Sequence, residues 1–483
     1  YGCAKNLNIV FFVVLLVFVY LIAARLLGRN YAVIVTTLTA LSPLGVSMSF
    51  FMPEIMYFAF MAGTVWLLLL AAKRGALLWW VYASVALGLT TLVKPHALFA
   101  VPVVVVFVYF ASLRREGGSW VKSLLAAGVS LVAILVTKFG LGFVFAGVNG
   151  LTLFGTGYSD SVSNFVNSAA APVSLPQAAS SVLVLASSSG TNMWAVLTST
   201  AFLLLAMHLS LLLLLWGIPF LLSVSVIKNV LFKRDVMSEL GAFVSLTGAL
   251  ALSYVVVVSV FEGFVTAGGD DHTQRIITRY YDFLVPLLMI LVFAIEKYVE
   301  PKLWVRLVQS GLVLAAVVYA FVTFPTGVGT RFSDSVPTMG LVYYPAVLYV
   351  VGVIVLAGQF IWLAKPEYGA RLVARALVPL IVVILGFSSI GALHQKIGTT
   401  KGYFDVAGQT AKPLLAGVAG DKIGVVGTVR PEVFTAKFWI DKPYIKDVLV
   451  GSDGKITMGM LAGLEYALFL GTSSDVGVGT VVT

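Results

Sequence analysis

Residues 8–27 read NIVFFVVLLVFVYLIAARLL, an apolar run whose only charge is Arg25 near its end. At 1.5 Å per residue a helix of this length covers about 30 Å, the thickness of a bilayer's hydrocarbon core. The run is too apolar for a surface amphipathic helix. Residues 341–363, LVYYPAVLYVVGVIVLAGQFIWL, repeat the pattern. Lipid offers no partner to backbone N–H and C=O groups, so such runs are helices. The period-two alternation of an outer-membrane barrel is absent. Of the 483 residues 60% are hydrophobic and 11% charged, with mean hydropathy +1.01. A soluble domain carries about 25% charged residues.

Segments of this kind fall near 8–28, 31–50, 55–72, 77–93, 96–113, 121–148, 197–226, 239–261, 281–298, 303–324, 341–363 and 371–393. The reading is a polytopic α-helical membrane protein with about twelve transmembrane helices over residues 1–393. A small C-terminal α/β domain follows over 394–483. There Lys422–Gly427 (KIGVVG) and Tyr466–Leu470 (YALFL) read as strands, and Pro431–Ile440 as a helix.

The connections alternate in charge. One set holds Arg25, Arg29, Lys73, Arg74, Arg114, Arg115, Lys122, Lys228, Lys233, Arg234, Lys297, Lys302, Arg306, Lys365, Arg371 and Arg375. The other, before the tail, holds only Lys5, Lys94, Arg275, Arg279 and Arg331. By the positive-inside rule the first set is cytoplasmic. Residues 1–7, the loops near 149–196, 262–280 and 325–340, and the tail then lie outside. Val182–Ala186 is too short to span and reads as part of a half-embedded or interfacial element. The +10 net charge is explained by topology, so no nucleic-acid partner is implied. The single cysteine, Cys3, permits no intrachain disulfide.

Ionisable groups at a membrane edge are costly and tend to be functional. Four places stand out, each with a bland reading beside the functional one. Glu54 follows Pro53 in a short external turn, where it either offsets a helix dipole or serves chemistry. Lys94 and His96 flank Pro95 in another external turn. Lys94 either snorkels or meets a phosphate, and His96 reads as a solvated histidine or a substrate contact. The richest stretch holds Asp270, Asp271, His272 and Arg275, then Arg279, Tyr280, Tyr281 and Asp282. Arginine pairs bidentately with phosphate oxygens, and carboxylates bind a cation or act as a base. The bland reading is a solvated loop followed by an interfacial belt. Lys138, inside segment 121–148, reads as a snorkelling lysine, and His208 as a hydrogen-bonded core histidine. No Walker loop, nucleophile elbow, metal-ligand spacing or nucleotide fingerprint is present, so a donor delivered within the membrane fits better than a nucleotide sugar.

Three stretches resemble the GT-C superfamily of membrane glycosyltransferases. LSPLGVSMSFFMPEIMYFAFMAGTVWLLLL (41–70) is similar to its second external turn, with an acid beside proline before an aromatic-rich helix. LGLTTLVKPHALFAVP (87–102) is similar to its G-L-x-x-L-x-K helix end, and RYYDFLVP (279–286) to its R-Y-x-x-x-x-x-P helix entry. With the topology, the resemblance covers roughly residues 1–393.

It implies transfer of a hexosyl or pentosyl group from a polyprenyl-phosphate-linked donor to a glycan, lipid or protein acceptor. The setting it implies is a bacterial cytoplasmic membrane, with the site and the α/β domain on the periplasmic side. Glu54, Asp271 and Asp282 are the catalytic candidates. Lys94, His96, Arg275, Arg279 and Tyr280 are the substrate-binding candidates, and a divalent cation (Mg2+ or Mn2+) is a candidate cofactor. One departure matters. Family members begin with an inside-to-outside helix and a long loop bearing the principal carboxylate. This chain starts at Tyr1 with an outside-to-inside helix, so it is expected to be most of a thirteen-helix parent. The principal carboxylate has no matching position, and its role is not moved onto Asp270 or Asp271. The rival readings are a transporter or lipid-linked glycan flippase, and a non-catalytic assembly protein. Neither an internal repeat nor a polar midplane is visible to favour the transporter.

Overall fold

The computed structural model describes residues 2–49, 53–115, 117–152, 193–232, 237–267, 276–294, 302–327, 335–397, 402–428, 430–450, 456–457 and 459–470. It divides into two compact units, 1–393 and 394–483.

The first unit is helical. Helix α1 (Gly2–Leu27) and α2 (Arg29–Leu41) pack together, and α1 also lies along α3 (Glu54–Arg74). Then come α4 (Leu77–Val93), α5 (Val101–Leu113) and α6 (Trp120–Leu135). Helices α7 (Met193–Phe232) and α8 (Glu239–Ala267) form the most extensive pair. The unit continues with α9 (Leu284–Ala294), α10 (Leu303–Gly327), α11 (Pro345–Ala364) and α12 (Val378–Ile397). Each of the twelve apolar segments contains helix. Among the described residues, nine helices are long and apolar enough to cross a membrane. The bent pair Arg29–Leu41 and Pro43–Ser49, and the shorter α4 and α9, account for the other three segments.

Several helices carry local breaks that apolar patterning does not encode. Helix α7 kinks at Trp216, which leaves helical geometry at φ −132°. Pro219 lies one turn on, where its ring collides with the carbonyl four residues back. A π-helical turn at Val136–Leu141 prolongs α6 and carries Lys138. A π turn changes which face its residues occupy, and Lys138 is buried by protein rather than snorkelling outward.

Ion pairs sort the helix ends. Arg25 at the end of α1 and Lys73 at the end of α3 both bind Glu239 at the start of α8, at 2.8 and 2.9 Å. The Arg306 guanidinium donates to the Leu363 carbonyl at 3.0 Å, and Arg375 to the Tyr31 hydroxyl at 3.1 Å. All these contacts join connections of the basic-rich set. Glu54 sits at the other end of α3, about 30 Å away by helix rise.

The second unit holds a three-stranded parallel sheet in the order β2–β1–β3, with β1 Ile423–Gly427, β2 Lys446–Leu449 and β3 Tyr466–Phe469. Helices α13 (Tyr403–Leu414) and α14 (Arg430–Ile440) pack together, and α14 covers the fully buried β1. The expected strands at 422–427 and 466–470 and the helix at 431–440 are present. Strand β2 and helix α13 are additions. The KDVL of β2 is short, charged and buried at one position only, so it lacks an apolar run.

Candidate functional site

The three motif stretches meet at one end of the helical unit, and each is delivered by a local backbone rule. Pro53 has no N–H to lose and serves as the N-cap of α3, placing Glu54 in its first turn. There the helix dipole favours a carboxylate. A residue before proline is driven to extended geometry. Lys94 obeys this at φ −146°, ψ 119°, which ends α4 at Val93, and a 3-10 turn over Pro95–Ala100 follows. The third stretch is a 3-10 turn at Thr278–Tyr280 and a further turn that ends where α9 starts. Asp282 therefore lies before α9 and not inside a spanning helix.

Lys94 Nζ lies 2.9 Å from Glu54 Oε1, and both residues are buried. Lys94 also reaches the Arg279 carbonyl at 3.5 Å and stands 5.1 Å over the Tyr280 ring and 5.6 Å over the Tyr57 ring. Burial pushes the Lys94 ammonium down from its ordinary range, against the opposing pull of Glu54. The second Glu54 oxygen, Oε2, is buried without a hydrogen-bond partner among the described residues. The Arg279 guanidinium lies 5.4 Å from the centre of the Tyr280 ring. Asp282 is buried, and Thr278, Lys94 and Glu54 are close enough to act on it electrostatically.

His96 departs from the solvated reading. It is buried, and its imidazole stacks on Tyr280 with centroids 3.8 Å apart and planes 13° from parallel. The 3-10 turn after Lys94 folds the ring inward, which sequence alone does not show. Two further tyrosines, one inside the first motif stretch and one outside all three, brace the arrangement. The Tyr57 and Tyr254 hydroxyls are 3.0 Å apart, Tyr57 donates to the Tyr280 carbonyl at 3.1 Å, and Tyr254 reaches the His96 carbonyl at 3.2 Å. The signal for Tyr57 was present, since it lies one turn after Glu54 in an aromatic-rich helix.

The profile of the dolichyl-phosphate-mannose-protein mannosyltransferase family matches residues 4–139. That match supports a GT-C membrane glycosyltransferase. It spans the helices that carry Glu54, Lys94 and His96, while Arg279, Tyr280 and Asp282 lie beyond it. No curated protein and no solved structure matches the chain.

Of the eight site residues read from sequence, Glu54, Lys94, His96, Arg279, Tyr280 and Asp282 are brought together. Asp271 and Arg275, with Asp270 and His272, lie outside the described residues, as does Val182–Ala186. Among the described residues no three His, Cys, Asp or Glu side chains converge as metal ligands. The two site carboxylates have an ammonium beside them, so the described side chains do not fit a divalent cation. His208 is the hydrogen-bonded core histidine the sequence suggests, with partners described below.

Proposed function

We propose that this chain acts in a glycosyltransferase that moves a sugar from a polyprenyl-phosphate carrier to a cell-envelope acceptor. In this reading the helical unit crosses a bacterial cytoplasmic membrane about twelve times. The basic-rich connections are cytoplasmic, and the site and the α/β unit face the periplasm. The observation that carries the reading is the convergence of Glu54, Lys94 and Arg279, far apart in sequence, at the basic-poor end of the unit. A buried lysine and a half-buried arginine beside carboxylates suit a reaction that leaves a phosphate and takes up a proton.

The chemistry follows from the charges. The acceptor hydroxyl attacks the anomeric carbon, and the carbon–oxygen bond to the carrier phosphate breaks with its electrons going to phosphate. Lys94 and Arg279 hold that phosphate and stabilise the charge developing on it, the main electrostatic contribution in such a transfer. Glu54 Oε2 accepts the acceptor hydroxyl, orients it and takes its proton. Asp282 shapes the pocket with Tyr280 and His96. Arg275 supports the phosphate, and Asp271 is a second candidate carboxylate. No step is assigned to a metal.

The test is reconstitution of the protein in lipid with a polyprenyl-phosphate sugar and candidate envelope acceptors. Sugar transfer that Lys94→Met abolishes supports the reading. Translocation of the lipid-linked sugar without transfer would replace it with the flippase reading.

A further inference from the structure

A second buried polar chain touches the site from behind. The Tyr281 hydroxyl lies 2.6 Å from His208 Nδ1, and His208 Nε2 lies 3.1 Å from Glu262 Oε2. All three residues are buried, His208 completely. The chain joins α7, α8 and the turn before α9. With Tyr281 donating to Nδ1 and Nε2–H donating to Glu262, every hydrogen in it has an acceptor.

Burying a carboxylate and an imidazole between apolar helices is costly. Leucine would hold α7 against α8 without that cost, so the chain calls for another role. Its end point supplies one. Tyr281 sits between Tyr280 and Asp282 in a turn without a regular hydrogen-bond ladder. The backbone bonds that tie it are Tyr281 N to Thr278 O, Leu284 N to Tyr281 O and Val285 N to Asp282 O. External fastenings hold the rest. Tyr57 holds the Tyr280 carbonyl, and the Thr278 and Ser335 hydroxyls lie 2.8 Å apart. His208 holds Tyr281 from the α7–α8 side. Tyr281 and Asp282 also line one cavity of about 30 Å3, with Thr278 and Thr338.

We propose that Glu262 and His208 are positioning residues that, through the Tyr281 hydroxyl, fix the turn bearing Arg279, Tyr280 and Asp282. The inference rests on reading that turn as the phosphate-binding side of a transferase. Glu262 orients the imidazole, the imidazole fixes the Tyr281 ring, and the ring fixes the backbone from which Arg279 and Asp282 project. A group must be held to within about half an ångström for such chemistry.

The experiment uses the protein in lipid nanodiscs and two readouts, amide hydrogen exchange and steady-state transfer. Tyr281→Phe removes one oxygen and keeps the ring. His208→Gln keeps a polar side chain and loses the imidazole geometry. Each variant is expected to speed exchange over residues 276–283 while leaving 54–74 at the wild-type rate. Each should lower kcat/KM about tenfold, the size of one hydrogen bond. The double variant should be no worse than the poorer single one, because both break the same chain. Glu262→Gln, which keeps an acceptor for Nε2–H, should recover most of the activity that Glu262→Leu loses. Unchanged exchange over 276–283 in Tyr281→Phe, or additive losses in the double variant, would overturn the proposal. If exchange responds as expected but the wild type transfers no sugar, the transferase reading fails and the anchoring stands.

Discussion

Lys94 Nζ and Glu54 Oε1, forty positions apart in sequence, form a buried ion pair at 2.9 Å, and each belongs to a turn that the basic-poor set of connections contributes. Lys94 thus has a carboxylate as its partner until a phosphate competes for it. Under the proposed function, donor binding would loosen Glu54 and leave its carboxylate available to the acceptor hydroxyl. Binding is expected to be ordered, donor before acceptor. Removing one partner of a buried pair costs about 3–5 kcal/mol, whereas replacing both is often neutral. Glu54→Gln and Lys94→Met should therefore each lower the thermal midpoint in detergent. The double variant should recover most of that loss and stay inactive. Wild-type stability in both single variants would mean that the pair is not formed in the bilayer.

Arg279 should carry donor affinity. A hydrogen bond to a charged group contributes about 1.5–3 kcal/mol, so Arg279→Ala should weaken polyprenyl-phosphate binding at least roughly tenfold and abolish transfer. Arg279→Lys should rescue poorly, because an ammonium cannot reproduce the bidentate fork. Tight binding of the carrier to Arg279→Ala would return this residue to an interfacial-belt role.

Much of this arrangement can be read from sequence because membrane insertion imposes a strong code. Apolar length marks the helices. The alternation of basic connections predicts which helix ends share a side, and the Arg25–Glu239–Lys73 cluster joins connections of one set only. Lys94 before Pro95 and Glu54 after Pro53 are local backbone effects, visible in four or five letters. Contacts between distant residues are another matter. His96 looks solvated beside a lysine, yet its ring is covered by Tyr280, 184 positions later. The Glu262–His208–Tyr281 chain spans separations of 54 and 73 residues. Its local signs are His208 in a leucine-rich helix and an acid in the apolar approach to a loop, which membrane cost alone makes noteworthy. The kink at Trp216 has its sign in Pro219, whereas apolar patterning does not report the π turn at Val136–Leu141.

The His96–Tyr280 stack separates a packing role from a chemical one. Offset aromatic pairs contribute about 0.5–1.5 kcal/mol beyond burial. His96→Phe keeps a flat ring over Tyr280, whereas His96→Ala leaves a gap. If stacking is the role, His96→Phe should retain transfer near the wild-type rate and His96→Ala should lose about two- to thirteenfold by the same energy. Equal loss in both variants, measured as donor kcat/KM, would assign the imidazole nitrogens to substrate instead.

Gly88 sets how closely α4 approaches the π turn below Lys94. A Cβ at Gly88 would lie 2.5 Å from Thr137 Cβ and 3.0 Å from the Ile134 carbonyl, inside any tolerable contact. Overpacking of this kind costs about 1–3 kcal/mol. Gly88→Ala should lower the thermal midpoint and, by pushing the end of α4 outward, weaken donor binding through Lys94. Adding Thr137→Ala would remove the γ groups but not the Cβ, so rescue should be partial. A fully stable Gly88→Ala would show that α4 and α6 separate freely.

Sidedness remains to be measured, and single cysteines can measure it in a Cys3→Ser background. Under the proposed topology Asn149 and Tyr444 should face the periplasm and Arg115 and Lys365 the cytoplasm. Asn149 and Tyr444 are exposed, so a thiol there is open to reagent. Arg115 and Lys365 are exposed as well, so protection at those positions would report the membrane rather than burial in protein. A membrane-impermeant maleimide applied to intact spheroplasts should label Asn149→Cys and Tyr444→Cys. It should reach Arg115→Cys and Lys365→Cys only after permeabilisation. The mirror-image pattern would keep the helix count and move the candidate site to the cytoplasmic face. Labelling of Asn149→Cys together with Arg115→Cys would mean that the segment between them does not cross the membrane.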